Sequence, residues 1–268
     1  MAGSGFTPMH RGGEGSPLVL LRGFTDTWRC WEPVMPALEA EHEVLAPTLA
    51  GHAGGPPLAN DDDPEEAIAA AVEAAMDEAG FETAHIAGNS LGGWVALKLA
   101  ARGRARTVTA LAPAGGWKVG DPAIAETLAY FRTTQRLLEH ALPYAAEIVA
   151  TPEGRARATE MYASSAEHLT PELILHQMRG AADCPAVAAL IEHAEANGWD
   201  LDAEKVTCPV RLVWGSGDRI LVPPGAAARF REEWLPRAEW VELEGAGHCP
   251  QLDHPLETAQ LILDFARQ

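Results

Sequence analysis

The chain has 268 residues, 47% of them hydrophobic and 22% charged, which suits a globular protein of one α/β domain with an insertion, or of two small domains. Its formal net charge of −18 removes the basic footprint that nucleic acid or an anionic membrane requires, so neither is expected as a partner. No apolar run approaches the roughly 20 residues needed to span a bilayer. Met1 to Ser16 lacks a signal-peptide apolar stretch, and Cys30, Cys184, Cys208 and Cys249 are scattered without C-x-x-C spacing, so a cytoplasmic protein with free thiols is expected.

In chain order, Leu18-Val19-Leu20-Leu21 is a short buried-strand run ending at Arg22-Gly23-Phe24. Asp26 or Thr27 then caps a helix expected from about Trp28 to Glu41, with Trp31, Val34, Met35 and Leu38 at helical spacing. A second strand is expected at Val44–Ala46, followed by a loop rich in Gly and Pro from Pro47 to Asn60. Asp63-Pro64-Glu65-Glu66 has the order of an N-cap, a proline in the first helical position and a glutamate able to reach back; Ile68, Val72, Ala75, Met76 and Ala79 line one face, and Gly80 ends the helix. His85-Ile86-Ala87 is the next strand, a helix follows to about Gly103, and another strand is expected at Thr107–Ala112.

From Trp117 to about Lys205 the rhythm changes. Helix starts recur at Asp121-Pro122, Thr151-Pro152 and Thr170-Pro171, with Ile124, Leu128, Phe131 and Leu138 in apolar periodicity and no convincing strand. The alternation then resumes with a strand at Val210–Trp214, a helix at about Pro224–Trp234, a strand at Glu239–Leu243 and a last helix at about Pro255–Ala266. The expected fold class is α/β, a mostly parallel central sheet flanked by helices, with residues 1–116 and 206–268 forming the core and 117–205 a helical cap. Ligands of such sheets bind at the carboxyl ends of the strands.

One strand end carries chemistry of a specific kind. Gly88-Asn89-Ser90-Leu91-Gly92-Gly93 follows a strand and opens a helix, which is the Gly-x-Ser-x-Gly pattern in its required context. A serine hydroxyl is a weak nucleophile, so it is held on a sharp turn where a base can reach it, and the helix that begins there aims its free N–H groups at a developing oxyanion. Two later strand ends offer partners, Asp218 in Trp214-Gly215-Ser216-Gly217-Asp218 and His248 in Gly245-Ala246-Gly247-His248. An imidazole can take the hydroxyl proton, and a carboxylate can fix its tautomer and stabilise its cation. Singly, Ser90 could be incidental to a glycine-rich turn, Asp218 a turn former and His248 a loop residue. Their order, Ser…Asp…His at strand ends, favours the chemical reading. Among other histidines, His42, His140, His168, His176 and His193 fall in or beside helical runs and are expected to face solvent, while His52 and His254 suit structural roles. The strand after the serine ends Leu111-Ala112-Pro113-Ala114, with no competing acid.

Together with Leu21-Arg22-Gly23-Phe24 and the stretch Gly247-His248-Cys249-Pro250-Gln251-Leu252-Asp253-His254-Pro255, these motifs make the chain resemble the α/β-hydrolase superfamily, in the branch of small capped serine hydrolases that includes esterases and carbon–carbon bond hydrolases. The resemblance covers nearly the whole chain apart from the cap. It implies Ser90 as nucleophile, His248 as general base, Asp218 as orienting acid, and the backbone N–H groups of Phe24 and Leu91 as oxyanion hole. It implies a small-molecule substrate and neither a metal nor an organic cofactor. The expected reaction is hydrolysis of a carboxylic ester with a short or medium acyl group. The alternatives are carbon–carbon cleavage of a diketone or vinylogous acid, a cofactor-free perhydrolase, and a non-catalytic binding protein, against which the intact set of three residues argues.

Two positions depart from the family's pattern. Arg22-Gly23 stands where His-Gly is usual, and Pro47-Thr48-Leu49-Ala50-Gly51-His52 lacks a usual aspartate. Arg22 either pairs with a carboxylate such as Asp26 and shapes the oxyanion loop, or reaches the pocket and favours an anionic substrate. Trp94 and Trp117 are candidates for the substrate pocket, with core packing as the alternative; Cys249 is expected to be packing.

Overall fold

The structure is a computed structural model that describes residues 5–60, 63–223 and 225–268. Its strands are β1 (Met9–Gly12), β2 (Ser16–Leu21), β3 (His42–Pro47), β4 (Ala84–Asn89), β5 (Ala105–Leu111), β6 (Val210–Gly215) and β7 (Glu239–Leu243), joined in one sheet of order β1-β3-β2-β4-β5-β6-β7. β1 runs antiparallel to β3, and every other pairing is parallel. The helices are α1 (Met35–Glu39), α2 (Pro64–Ala79), α3 (Leu91–Ala101), α4 (Pro122–Ala141), α5 (Ala145–Ala150), α6 (Pro152–Thr159), α7 (Pro171–Ala182), α8 (Val187–Asn197), α9 (Gly225–Ala228), α10 (Pro250–Asp253) and α11 (Pro255–Ala266).

A parallel strand covered on both faces needs apolar side chains in both directions, and β2 has them. Val19 and Leu21 enter one core cluster with Ile68 and Val72 of α2 and Val95 of α3. Leu18 and Leu20 enter a second on the opposite face, with Trp31, Leu38 and Ile262 of α11. Each of these side chains is almost wholly buried, which contributes about 1.5–3 kcal/mol apiece. α2 begins as its sequence dictates: the Asp63 carboxylate accepts from Glu66 N at 3.1 Å, Pro64 fills the first turn, and Gly80 closes the helix at φ 82°.

Between β5 and β6 the described residues contain helices and no strand. Asp121, Thr151 and Thr170 cap α4, α6 and α7 through their side chains, and Ile124 and Leu128 of α4 are buried.

The secondary structure departs from expectation in three places, and His42, expected to face solvent, is buried on β3. The helix expected over Trp28–Glu41 is a 3₁₀ turn at Trp28–Trp31 followed by α1, because Pro33 lacks an N–H and crowds the preceding turn. β1 has no apolar run to mark it; it is an edge strand whose residues alternate between exposed and half-buried. The helix expected at Pro224–Trp234 is α9 continued by a π-helical turn, Arg229–Trp234, and Pro224 itself lies outside the described residues, as do Met1–Ser4 of the N-terminal stretch. Among the described residues no helix is long and apolar enough to cross a membrane, and the four cysteines are free.

Candidate active site

Ser90 sits between β4 and α3 at φ 54° and ψ −118°, a conformation that side chains rarely adopt. Its neighbours hold it there. Ser90 N donates to Leu111 O at 2.9 Å, and Ser90 O accepts from Trp94 N and Ala114 N, each at 3.0 Å. The turn is too crowded for side chains at the flanking glycines: a Cβ on Gly88 would lie 2.2 Å from Gly92 O, and one on Gly92 would lie 2.2 Å from Leu21 O. The loop after β2 is pressed against the same turn, for a Cβ on Gly23 would come within 3.0 Å of Ser90 Cβ. Phe24 follows Gly23, and Leu91 is the first residue of α3. Neither of their N–H groups donates to a protein acceptor among the described residues, and both residues border the cavity that Ser90 faces.

The other two strand-end residues meet. Nδ1 of His248 lies 2.8 Å from Oδ2 of Asp218, with both side chains buried. The remaining oxygen of Asp218 accepts from Ile220 N at 2.8 Å and Leu221 N at 2.9 Å, so the carboxylate is fixed in place. With Nδ1–H donated to the carboxylate, Nε2 of His248 carries the lone pair. The loops after β6 and β7 are tied by Gly217 N to Ala246 O at 2.9 Å and by Gly245 N to Ser216 Oγ at 2.9 Å. The His248 loop is anchored twice more. Asn89, next to Ser90, donates from Nδ2 to His248 O. Asp253 accepts Gly247 N at 2.6 Å on one oxygen, and Ser164 N and Ser165 N at 2.7 and 2.9 Å on the other. Burial holds the Asp253 carboxyl above the usual range, a tendency that these three donors oppose.

Ser90 borders two cavities. One, of about 110 Å³, also contains His248, Arg22, Asp26, Tyr162 and Gln177 in its wall. The other, of about 40 Å³, is walled by apolar side chains, among them Trp117, Leu128, Leu190, Ile191 and Trp199. Phe24, Phe131 and Ile220 border both and form the partition. α4, α7 and α8 thus supply much of both walls.

Arg22 lies on the wall of the larger cavity with its Nη2 2.7 Å from Asp26 Oδ2, and Nη2 also donates to Phe24 O at 3.4 Å. Asp26 further accepts Gln177 Nε2 at 2.6 Å, and the Tyr162 hydroxyl donates to Gln177 Oε1 at 3.3 Å. Gln177 and Tyr162 gave no sign in the sequence, since nothing local marks a helix residue that bonds 151 positions away. Trp117 borders the apolar cavity, whereas Trp94 borders neither. Trp94 is fully buried behind the wall, stacked on Trp199 at 5.3 Å between ring centroids, with its indole N–H donated to Glu65 at 2.5 Å. Cys249 lines the larger cavity, but burial pushes its thiol up to about 12, so it is un-ionised at neutral pH and a poor nucleophile. No group of side chains suited to a metal ion occurs among the described residues.

The alpha/beta hydrolase family model matches residues 18–261, and the chain belongs to that family. Among its relatives, epoxide hydrolase EphH of Mycobacterium tuberculosis is 35% identical over 198 residues, covering 74% of this chain and 92% of that protein. The pimeloyl-acyl-carrier-protein methyl ester esterase of Aromatoleum aromaticum is 30% identical over 267 residues, covering 93% of this chain and 98% of that protein. The structure of 2-hydroxy-6-oxo-6-phenylhexa-2,4-dienoate hydrolase from Rhodococcus sp. strain RHA1 superposes with a TM-score of 0.76 over 98% of this chain and 97% of that one; at 20% identity it demonstrates a shared fold.

Proposed function

We propose that the protein is a serine hydrolase that cleaves carboxylic esters through an acyl-enzyme on Ser90, beneath a cap formed by the helices between β5 and β6. The observation that carries this reading is the 2.8 Å contact of His248 Nδ1 with Asp218 Oδ2 beside a cavity shared by His248 and Ser90. Ser90 Oγ attacks the ester carbonyl while its proton passes to His248 Nε2. The carbonyl oxygen becomes an oxyanion facing Phe24 N–H and Leu91 N–H, each such donor being worth about 3–4 kcal/mol in related sites. Collapse of the tetrahedral intermediate breaks the bond to the leaving oxygen, which takes the proton from His248. Water then repeats the cycle on the acyl-enzyme, giving up its proton to His248 and releasing the acid and Ser90.

The likeness to an epoxide hydrolase does not transfer the reaction. A carboxylate that opens an epoxide forms an ester, which water can cleave. A serine that opens one forms an alkyl ether, which the same acyl-transfer machinery leaves intact, so the residue at position 90 favours acyl transfer.

The test is a p-nitrophenyl ester series from acetate to octanoate on the wild type and on Ser90→Ala. Turnover of the shorter esters, with loss in Ser90→Ala and an acyl adduct on Ser90 by intact mass, is the expected result. A folded wild type that ignores every ester would overturn the proposal, and diketone substrates of carbon–carbon hydrolases would be assayed next.

A further inference from the structure

The two cavities at Ser90 differ in what they hold. Accepting the acyl-transfer reading above, on which this inference rests, the leaving oxygen must take its proton from His248 Nε2. His248 borders the larger cavity and not the apolar one. The alcohol portion of an ester therefore occupies the larger cavity, and the acyl chain is left to the smaller one, whose wall has no charged side chain.

Among the residues lining the larger cavity, Arg22 is the one permanent cation and Asp26 the one carboxylate. They are paired, so the wall carries no net charge, yet the pair is not equally satisfied. Asp26 accepts from Thr27 N at 2.7 Å on one oxygen and from Arg22 and Gln177 on the other. Arg22 reaches Asp26 and Phe24 through Nη2, its buried Nε has no partner among the described residues, and its side chain is only 10% exposed. A guanidinium carries five N–H groups, so Arg22 on this wall has hydrogen-bonding capacity beyond the ion pair but no spare charge. An anionic group placed on Arg22 would lose its hydration and sit close to the Asp26 carboxylate. A neutral oxygen can accept from the same donors without either cost.

We infer that the leaving group this site selects is a neutral alcohol carrying a hydrogen-bond acceptor, such as an amide or ketone oxygen, held by Arg22 while a short apolar acyl chain fills the cavity between Trp117 and Ile191. The pairing with Asp26 removes the reason to expect an anionic substrate.

Three butyrate esters of similar size separate the possibilities: those of glycolamide, glycolate and isobutanol. Each kcat/KM is divided by the ester's own rate of hydroxide hydrolysis, to remove differences in leaving-group reactivity. The wild type is expected to favour the glycolamide ester over the isobutyl ester by roughly tenfold, the scale of one hydrogen bond to a charged donor, and to favour it over the glycolate ester. Arg22→Lys keeps a cation for Asp26 but replaces the five donors of a planar fork with three on one nitrogen, so the amide-to-isobutyl ratio should fall. Calorimetric binding of the three esters to Ser90→Ala gives the same ranking without turnover and without altering Arg22. A preference for the glycolate ester, or equal handling of the amide and isobutyl esters in binding and turnover, overturns the inference. Preferential binding of the amide ester by Ser90→Ala, with no ester turned over by the wild type, overturns the esterase proposal and leaves the assignment of the cavity standing.

Discussion

Asn89 Nδ2 lies 2.9 Å from the carbonyl oxygen of His248, so the strand that ends at Ser90 also holds the loop that bears the histidine. The same nitrogen donates to Leu111 O at 3.2 Å, and Asn89 Oδ1 accepts from Gln251 Nε2 at 3.1 Å and from the Cys249 thiol at 3.3 Å. The side chain is completely buried. Replacing Asn89 with Ala removes the bonds to His248 O, Gln251 Nε2 and the Cys249 thiol, while Leu111 O keeps its bond from Ser90 N, at a cost of about 1–3 kcal/mol in stability. Because the lost bond also fixes the His248 backbone, kcat should fall more than KM rises. Urea unfolding and steady-state kinetics on Asn89→Ala check both; unchanged stability would contradict the bracing role.

Asp218→Asn keeps the shape of the side chain and removes its charge. An amide N–H facing Nδ1 of His248 would force the wrong tautomer, placing a proton on the nitrogen that should receive one. The expected loss in kcat is about 10⁴-fold with the fold retained. Stopped-time ester assays with circular dichroism as a control read it, and a loss below tenfold would remove Asp218 from the mechanism.

Gly88→Ala should be far more damaging than its chemistry suggests. The new methyl meets Gly92 O at 2.2 Å, backbone against backbone, and nothing there can swing aside. The expected cost is about 3 kcal/mol or more. Gly103→Ala is the control: the position has φ +77° but no atom within 4 Å, so left-handed strain alone applies, about 1–2 kcal/mol. Comparable unfolding midpoints for the two variants would refute the steric account of the turn.

Acid should destabilise the protein in part through His52. Burial pulls this imidazole from 6.5 down to about 4, with Nδ1 hydrogen-bonded to Ala50 O at 3.1 Å. Between those values the unfolded chain binds a proton that the folded chain does not, so stability is present above 6.5 and lost as pH falls towards 4. The full term is about 3 kcal/mol. Glu65 works in the opposite sense, since burial holds its carboxyl above the usual range and favours the fold at lower pH. Urea titrations from pH 7 to 4.5 should show a shallower decline for His52→Asn than for the wild type; parallel curves would exclude His52 as a source.

Much of the fold was readable because its signals are local. The run Leu18–Leu21 sends alternate side chains to the two cores, and Asp63, Asp121, Thr151 and Thr170 each precede a proline that starts a helix. Ser90, Asp218 and His248 stood out because reactive residue types follow strands at glycine-rich breaks. What escaped depends on tertiary placement. β1 is held by backbone pairing with β3 rather than by an apolar pattern. His42, expected to face solvent, is 4% exposed and shares a hydrogen bond with Ser16 at 2.8 Å. The polar wall around Arg22 needs Gln177 from α7, and the docking of that helix is not written in its own spacing.

Asp253 sets a limit on how this protein could be re-engineered. One of its oxygens holds the turn at Ser164 and Ser165 between α6 and α7, and the other holds Gly247 beside His248. Grafting the α4–α8 segment of a relative onto this core would therefore do more than reshape the pocket. Unless the graft supplies two backbone N–H groups at that carboxylate, it leaves one oxygen of a buried carboxyl unsatisfied while the other holds the residue next to His248. A chimera chosen for a new substrate would then carry a displaced His248 loop even with its pocket correctly formed.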